Sequence, residues 1–262
     1  MVKYAYDYSD TVEEGKVIRQ DPGAGADASK GATVTITVSQ GKEVSEEVVP
    51  NVVGMTEIED YCKRVGLNCV MTGDYHVRCS TRTAEALLEI EAATGSRADI
   101  VVMVQGDEPM VRPEMIDAAV RPLLDDPAVN VTNLMAEMET VEEFEDPNEV
   151  KVVVDRASDA LYFSREPIPS RKKGADKVPM RKQVCIIPFR RDYLLRFNEM
   201  EESPLEIYES VDMLRILEHG EKVRMVPTAT RTWSVDTPED LARVSRLMDG
   251  DDLMAAYAQK AR

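Results

Sequence analysis

Histidine and cysteine are too scarce in this sequence to build several common kinds of site. With only His76 and His219, a multi-histidine metal centre is nearly excluded and a Ser-His-Asp triad has few places to form. The four cysteines contain no C-x-x-C pair, and their spacing fits no zinc site. We therefore expect them to be reduced thiols in or near the core.

Positive charge and long apolar runs are also scarce. Lys and Arg number 32 against 49 Asp and Glu, a formal net charge of −17, which argues against binding to nucleic acid or anionic lipid. The longest apolar runs, such as residues 100–104, reach about a quarter of the roughly 20 residues that a membrane span needs. The first residues lack the apolar core of a signal peptide. We expect a cytoplasmic protein with neither nucleic-acid nor membrane partners.

The sequence is apolar enough to fold, and it divides into two dissimilar parts near residue 56. Hydrophobic residues make up 43% and charged residues 31%, a composition that favours a buried core over disorder. In the first part, residues 32–39 alternate apolar and polar side chains, as a half-buried strand does. A turn cluster at 21–25 precedes them, and residues 17–20 predict a second strand. This pattern predicts a small antiparallel unit.

The first part resembles a known wall-binding module. The stretch DYSDTVEEGKVIRQDPGAGADASKGATVTITVSQG (residues 7–41) is similar to the latter half of a PASTA repeat, with the glycines, QDP and VTITVSQG in order. VVPNVVGMT (residues 48–56) resembles the opening of a next repeat. Neither repeat is complete. We interpret residues 1–56 as a small PASTA-like α+β piece made of partial repeats.

From residue 57 onward, helical and strand patterns alternate, which predicts an α/β layered domain over residues 57–262. The predicted helices are 57–65, 82–94, 113–125 and 206–219, with a terminal helix after the N-cap Thr237. The predicted strands are 100–104, 150–154, 160–163 and 184–187, the second and third forming a hairpin. The continuous apolar run at 100–104 is typical of a strand buried on both faces of a parallel sheet.

Two aspartates follow predicted strands in this second part. Asp107 comes after the strand that ends at Val104, and Asp236 comes after residues 233–235. Open α/β sheets bind ligands outside the carboxyl ends of their strands. Paired carboxylates suit Mg²⁺, which completes its shell with water and substrate phosphate. The alternative for each residue alone is a turn or helix-cap aspartate.

Four segments around these aspartates resemble, in order, the motifs of 3-deoxy-manno-octulosonate cytidylyltransferases (CMP-KDO synthetases). They are VMVQGDEPMV (102–111), NEVKVVVDRASDALYFSREPIP (148–169), SPLEIYESVDMLRILEHGEKV (203–223) and SVDTPEDLARV (234–244). The resemblance covers residues 57–248 and implies the Rossmann-like layered α/β sheet of nucleotide-diphospho-sugar transferases, here N-terminally truncated. It implies an enzyme that couples CTP to a 3-deoxy-2-ulosonic acid and releases pyrophosphate, with Mg²⁺ steadying the phosphoryl charge.

The resemblance also implies roles on the nucleotide side of the site. Asp107 and Asp236 would be the catalytic residues that hold the metal. Gln105 would lie against the nucleotide. Ser80 and Arg82 match the stretch with which the family reads cytosine, within HVRCSTRTAEA (residues 76–86), although neighbouring positions depart from that motif.

Four further residues would contact the sugar. Arg165 would pair with its carboxylate, for which a planar guanidinium is suited. Glu206 and Glu209 would accept hydrogen bonds from its hydroxyls. Gln183 stands where the family normally has a histidine, and glutamine donates and accepts hydrogen bonds without carrying charge. The acid sugar is therefore KDO or a related ulosonic acid.

The family's N-terminal segment has no counterpart in this sequence. Members begin with a strand and an Arg-, Ser- and Lys-rich loop that wraps the triphosphate, and nothing similar precedes Glu57. Its loss would leave strand edges unpartnered. The threonine-rich stretch 33–39 is too polar to fill a central strand position. We therefore expect weak or no turnover from this chain alone.

Two other interpretations stay open at this point. The PASTA-like piece favours a non-catalytic module that binds peptidoglycan outside the cell. Two incomplete modules that meet at one point also fit an accidental fusion of two truncated proteins. Under the enzyme hypothesis, the expected partners are CTP and an acidic 3-deoxy sugar. The resemblance also implies that the chain could form a homodimer.

Overall fold

The computed structural model describes residues 1–39 except 8, 10, 14, 28 and 30, then residues 57–173 and 177–254. The chain divides into two compact units, Met1–Thr56 and Glu57–Arg262. The repeat opening predicted at residues 48–56 lies outside the described residues. No helix in the described part of the chain is both long enough and apolar enough to cross a membrane.

The first unit contains a three-stranded sheet of β1 (Val2–Asp7), β2 (Val17–Asp21) and β3 (Val34–Ser39). The strand order is β1-β3-β2, with β2 antiparallel and β1 parallel to β3. The predicted antiparallel pairing of the two strands is confirmed, whereas sequence analysis missed β1, which adds a parallel partner. Strands β1 and β3 are parallel, and parallel strands are joined by long connections rather than by a tight turn. The sequence therefore contains no turn pattern that would predict this pairing.

The second unit is an alternation of helices and strands, as predicted. Its helices are α1 (Glu57–Val65), α2 (Cys79–Thr94), α3 (Pro113–Asp125), α4 (Val141–Glu145), α5 (Arg191–Glu199), α6 (Pro204–Glu209), α7 (Met213–Glu218) and α8 (Pro238–Met248). Its strands are β4 (Ile100–Val104), β5 (Thr132–Glu137), β6 (Lys151–Val154), β7 (Ala160–Ser164), β8 (Arg181–Val184), β9 (Ile186–Arg190) and β10 (Arg224–Thr228).

The strands of the second unit form two linked sheets. Five lie in the order β10-β5-β8-β6-β7, and β4 pairs antiparallel with β9. A bridge between Val131 and Phe189 connects the two sheets. Helix α2 packs on β4, α5 packs on both β4 and β9, and α3 packs on β5 and β9. The core between these layers holds large buried side chains such as Phe163, Phe189 and Phe197, so the layered α/β architecture is confirmed.

Three predicted elements needed correction. The strand at 184–187 is split at Cys185, whose N–H donates to the Glu108 carboxylate at 3.0 Å instead of continuing the strand. The helix at 206–219 is two helices, because Ser210 adopts a left-handed φ of 53° between α6 and α7. Helix α2 begins at Cys79 rather than Arg82, since its N-cap Arg78 offers no capping side chain that a sequence pattern would reveal.

All four cysteines are free thiols, as expected. Cys69 and Cys79 are exposed, so these two are not core residues.

Candidate active site

A small cavity lies where β4, β8 and the chain before α8 meet. Five of the residues that the sequence singled out line it: Gln105, Asp107, Arg165, Gln183 and Asp236. The cavity has a volume of about 130 Å³. The other lining residues are Glu108, Asn148, Glu149, Val150, Lys182, Cys185, Thr232 and Ser234. The carboxyl end of β4 thus opens onto a mostly polar cavity, as expected for ligand sites of α/β sheets.

Two backbone segments distant in sequence bring Asp107 and Asp236 to this cavity. The Val235 N–H donates a 2.9 Å hydrogen bond to the carbonyl oxygen of Asp107, which joins the two segments directly. Ser234 Oγ donates to Asp236 Oδ2 at 3.0 Å and orients that carboxylate. Immediately afterwards, Thr237 starts α8 with a capping box, so the segment ends in a fixed helix terminus.

The chemistry of this pair fits a divalent cation. Asp107 Oδ1 is buried and accepts no hydrogen bond from any described residue. Burial raises the pKa of Asp107, and the negative charge of Asp236 raises it further. In the described ranges no group of three or more His, Cys, Asp or Glu side chains could hold a metal. Two carboxylates are enough for Mg²⁺ when water and substrate phosphate complete its shell.

Glu108 is a second carboxylate at the same strand end. Its side chain is 7% exposed, and one oxygen accepts the Cys185 N–H. Burial raises its pKa to about 7. Glu108 therefore bridges β4 to the break between β8 and β9 and carries a proton over much of the acidic pH range.

Lys182 is a buried charge that sequence analysis did not select. Its amine lies 2.9 Å from a carboxylate oxygen of Glu143 and 2.9 Å from one of Glu149, and it also donates to the Thr232 carbonyl. Burial alone would lower the pKa of Lys182, but these two carboxylates raise it above its usual value. A lysine within a buried strand would have pointed to Lys182. Sequence analysis did not select it, because the predicted strand began at residue 184, two residues after Lys182.

Arg165 is held by backbone carbonyls, so its charge is not neutralised by an ion pair with any residue that the structure describes. Its Nε donates to the Glu209 carbonyl at 2.8 Å, and Nη1 donates to the Pro147 carbonyl at 2.9 Å. The Glu209 carboxylate accepts from the Arg165 N–H at 2.9 Å and from Ser164 Oγ at 2.8 Å. Glu209 does not line the cavity, but its hydrogen bonds hold Arg165, which does.

Lys151 holds the backbone around Glu149 and Arg165 in place. Its fully buried amine donates to the backbone carbonyls of Asp146 at 2.7 Å, of Glu149 at 2.6 Å, and of Arg165. Three carbonyls satisfy all three N–H donors of the ammonium group. The wall of the cavity that carries Glu149 and Arg165 is therefore tied to β6.

Gln183 lies almost fully buried at the back of the cavity. Its Nε2 donates to Asn133 Oδ1 at 2.6 Å, and Asn133 Nδ2 donates to the Val184 carbonyl at 2.7 Å. This chain of hydrogen bonds leaves the Gln183 side-chain oxygen as the acceptor still available for a ligand.

Besides Glu209, three predicted site residues lie away from the cavity. Ser80 is fully buried in the first turn of α2, and Arg82 donates to Thr72 Oγ1 at 2.5 Å and to the Gly73 carbonyl at 3.1 Å. Their nucleotide-binding role stays a prediction. Glu206 is fully buried, and its two oxygens accept from Arg215 at 2.6 Å each. Its carboxylate is committed to an internal ion pair and is not presented to a sugar, contrary to the sequence-based expectation.

Comparison with known proteins adds two family matches. Residues 55–223 match the model of the cytidylyltransferase family, and residues 2–40 match that of the PASTA domain. The 3-deoxy-manno-octulosonate cytidylyltransferase of Solibacter usitatus is 43% identical over 185 residues, covering 71% of each chain. That of Pelobacter propionicus is 43% identical over 185 residues, covering 67% of this chain and 70% of the relative.

A solved structure is also similar to this chain. It is a CMP:2-keto-3-deoxy-manno-octonic acid synthetase complexed with CTP, with a TM-score of 0.66 and 34% sequence identity. The match covers 76% of this chain and 83% of the solved one.

Proposed function

The chain belongs to the cytidylyltransferase family, and from that premise we propose that it couples CTP to a 3-deoxy-2-ulosonic acid, KDO or a close relative. The anomeric hydroxyl of the sugar attacks the α-phosphorus and loses its proton, the bond to the β-phosphate breaks, and pyrophosphate leaves. The observation that carries this proposal is the meeting of Asp107, Asp236, Gln105 and Arg165 in one cavity.

We assign the metal-binding role to Asp107 and Asp236. When bound, Mg²⁺ supplies charge stabilisation at the phosphoryl oxygens. The unpartnered Oδ1 of Asp107 supports this assignment, because a buried carboxylate oxygen without a donor is costly unless a ligand satisfies it.

Arg165 is the residue proposed to take the sugar carboxylate. Two of its donors are anchored on carbonyls, which fixes the plane of the guanidinium, and its charge remains available to an anion. Gln183 would accept a hydrogen bond from a sugar hydroxyl or amine, which is consistent with KDO or an amino-substituted relative.

Turnover by this chain alone is expected to be weak. Lys182 is committed to Glu143 and Glu149, so Arg165 is the one cavity cation in the described structure that carries no ion pair. Among the described lining residues, a triphosphate would therefore meet no cluster of basic side chains. Donors that stabilise transition-state charge are worth about 3–4 kcal/mol apiece.

The test is release of pyrophosphate by the full chain supplied with CTP, KDO and Mg²⁺. We expect a slow rate that requires all three and that Asp107→Asn abolishes. A rate typical of the family would contradict the weak turnover, while the absence of any CTP-dependent signal in both binding and turnover would contradict the proposed function.

The first unit supports a second candidate function, recognition of cell-wall fragments. Val2, Tyr4 and Tyr6 lie on one face of β1 and are 56%, 60% and 65% exposed. Exposed aromatic residues on a sheet face are a common feature of binding surfaces. A muropeptide titration of the full chain, compared with Tyr4→Ala, tests this candidate: loss of a binding signal in the variant supports it, and no signal in either contradicts it.

A further inference from the structure

One carboxylate on α2 binds the segment that precedes this helix. Glu85 Oε1 accepts the Gly73 N–H at 2.9 Å, and Oε2 lies 2.5 Å from both Tyr75 OH and His76 Nε2. Hydrogen bonds from Tyr75, from the Gly73 N–H and from His76, in that order, lower the pKa of Glu85 to about 2. The carboxylate is therefore ionised at neutral pH, so His76 Nε2 is the donor. Three groups of the 72–76 loop thus bind one side chain.

A second side chain of α2 holds the same glycine. Arg82 Nη1 donates to the Gly73 carbonyl at 3.1 Å and to Thr72 Oγ1 at 2.5 Å. Arg82 and Glu85 are three residues apart, so they lie on one face of the helix. The Gly73 peptide is therefore bound at its N–H by Glu85 and at its carbonyl by Arg82. A Cβ at position 73 would collide with the Tyr75 ring, so this arrangement requires glycine.

His76 adds a buried link between the 72–76 loop and α2. Its side chain is 5% exposed, and Nδ1 lies 2.9 Å from Thr81 Oγ1. One ring nitrogen thus contacts Glu85 and the other contacts Thr81, one turn earlier on the helix. Because both nitrogens of a buried ring are engaged, the loop is held in a defined position along α2.

The guanidinium of Arg82 is anchored at one nitrogen and keeps a free edge. Both of its bonds to the loop use Nη1, and neither Nε nor Nη2 has a partner among the described residues. Burial raises the pKa of the Cys79 thiol, the carboxylates of Asp212 and Asp107 raise it further, and Arg82 lowers it. The first turn of α2 therefore lies close to Asp107, and the free N–H groups of Arg82 are held in one plane near it.

We propose that Glu85 is a positioning residue for nucleotide binding, which holds the 72–76 loop and, through Gly73, fixes the guanidinium of Arg82. Without the Glu85 carboxylate the loop loses three hydrogen bonds, and Arg82 loses acceptors of fixed position. The arginine side chain must then give up its rotational freedom when it binds a ligand, which lowers the affinity. The inference rests on the proposed function for the identity of that ligand, CTP.

Calorimetry with CTP on the full chain tests this role. We expect Glu85→Ala to weaken CTP binding about tenfold, the cost of immobilising one long side chain. Glu85→Gln keeps an acceptor for the Gly73 N–H and should recover most of the affinity. Glu89→Ala removes an exposed carboxylate one turn further along α2 and should bind CTP as the unaltered chain does. KDO binding should be unchanged in all three variants, because neither Glu85 nor Arg82 lines the cavity.

A double replacement separates positioning from a purely structural role. In the Arg82→Ala background, Glu85→Ala should cause little further loss of CTP affinity, because the side chain that Glu85 positions is already absent. Urea unfolding of each variant checks that it is folded. If Glu85→Ala does not fold, Tyr75→Phe takes its place: it removes one of the three hydrogen bonds and should weaken CTP binding by about threefold.

Three results would overturn the proposal while CTP still binds to the unaltered chain. They are unchanged CTP affinity in the variant that lacks the Glu85 contacts, strictly additive losses in the double variant, and an equal loss of KDO affinity. Each would show that Glu85 does not act through Arg82. Failure of the unaltered chain to bind CTP would instead contradict the proposed function, and this inference with it.

Discussion

The carbonyl oxygen of Asp107 accepts a hydrogen bond of 2.9 Å from the N–H of Val235. This bond joins the segment after β4 to the segment before α8, and so fixes the backbones of the two proposed metal ligands against each other. Both side chains line the same cavity. The site is therefore preorganised by backbone contacts rather than by side-chain pairing.

The helix cap that follows Asp236 should affect both stability and metal binding. Thr237 Oγ1 accepts from Asp240 N–H at 3.2 Å, and Asp240 Oδ2 accepts from Thr237 N–H at 3.1 Å. We expect Thr237→Ala to lower the free energy of unfolding by about 1 kcal/mol and to weaken Mg²⁺-dependent CTP binding. Urea unfolding and calorimetry check this. Thr83→Ala, at a half-buried position inside α2, should change both by little, and equal effects would contradict the cap's role.

The buried pair of Glu206 and Arg215 should make a large contribution to folding. Arg215→Met removes both short hydrogen bonds to the fully buried Glu206 carboxylate and leaves Arg78 Nε, at 3.7 Å, as its remaining cation, and we expect a loss of about 3 kcal/mol in unfolding free energy. Arg196→Met breaks the more exposed pair with Glu221 and should cost about 0–1 kcal/mol. The double replacement Glu206→Leu with Arg215→Met should recover most of the loss. A small effect of Arg215→Met would show that Glu206 is available for another role.

Glu108 should make folding stability fall as pH rises. The folded chain keeps the Glu108 proton up to its pKa of about 7, whereas the unfolded chain releases it near 4.5. The unfolded state therefore binds fewer protons between these values, and the folded state loses about 3 kcal/mol across that window. Glu108→Gln should remove this dependence. Urea unfolding at pH 5 and pH 8 in EDTA measures it, and parallel curves for both proteins would contradict the prediction.

Arg165 should act on the sugar rather than on the nucleotide. Arg165→Lys keeps the charge but loses the planar fork, and the loss of one charge-assisted hydrogen bond of about 1.5–3 kcal/mol predicts roughly 10–100-fold weaker KDO binding. CTP binding should stay unchanged. Calorimetry with each ligand separates the two effects, and a parallel loss of CTP affinity would mean that Arg165 faces the nucleotide.

Gln105, Arg165 and Gln183 were expected only from the resemblance to the family's motifs. The alternation of helices and strands could be predicted from local periodicity, although β5, α5 and β10 were missed. Strand ends are also local properties of the sequence. Asp107 and Asp236 were found in this way. The break at Ser210 could not, because the apolar pattern continues across a single left-handed residue. Lys182 could not, because its burial depends on carboxylates contributed by distant segments. Lys151 could not either, because its burial depends on the Arg165 carbonyl of the neighbouring strand as well as on two carbonyls near it in sequence. Glu206 was misjudged for the same reason, since its partner Arg215 lies across a helix break.

The most direct test of the account counts divalent ions at the Asp107–Asp236 pair. Mn²⁺, which takes the same oxygen ligands as Mg²⁺, can be titrated in the presence of CTP and followed by electron paramagnetic resonance. We predict one site in the full chain, at least tenfold weaker binding in Asp107→Asn and in Asp236→Asn, and little further loss in the double variant, because both ligands serve one ion. The exposed Asp117→Asn should bind as the unaltered chain does. Absence of a CTP-dependent site, or strictly additive losses, would contradict the account.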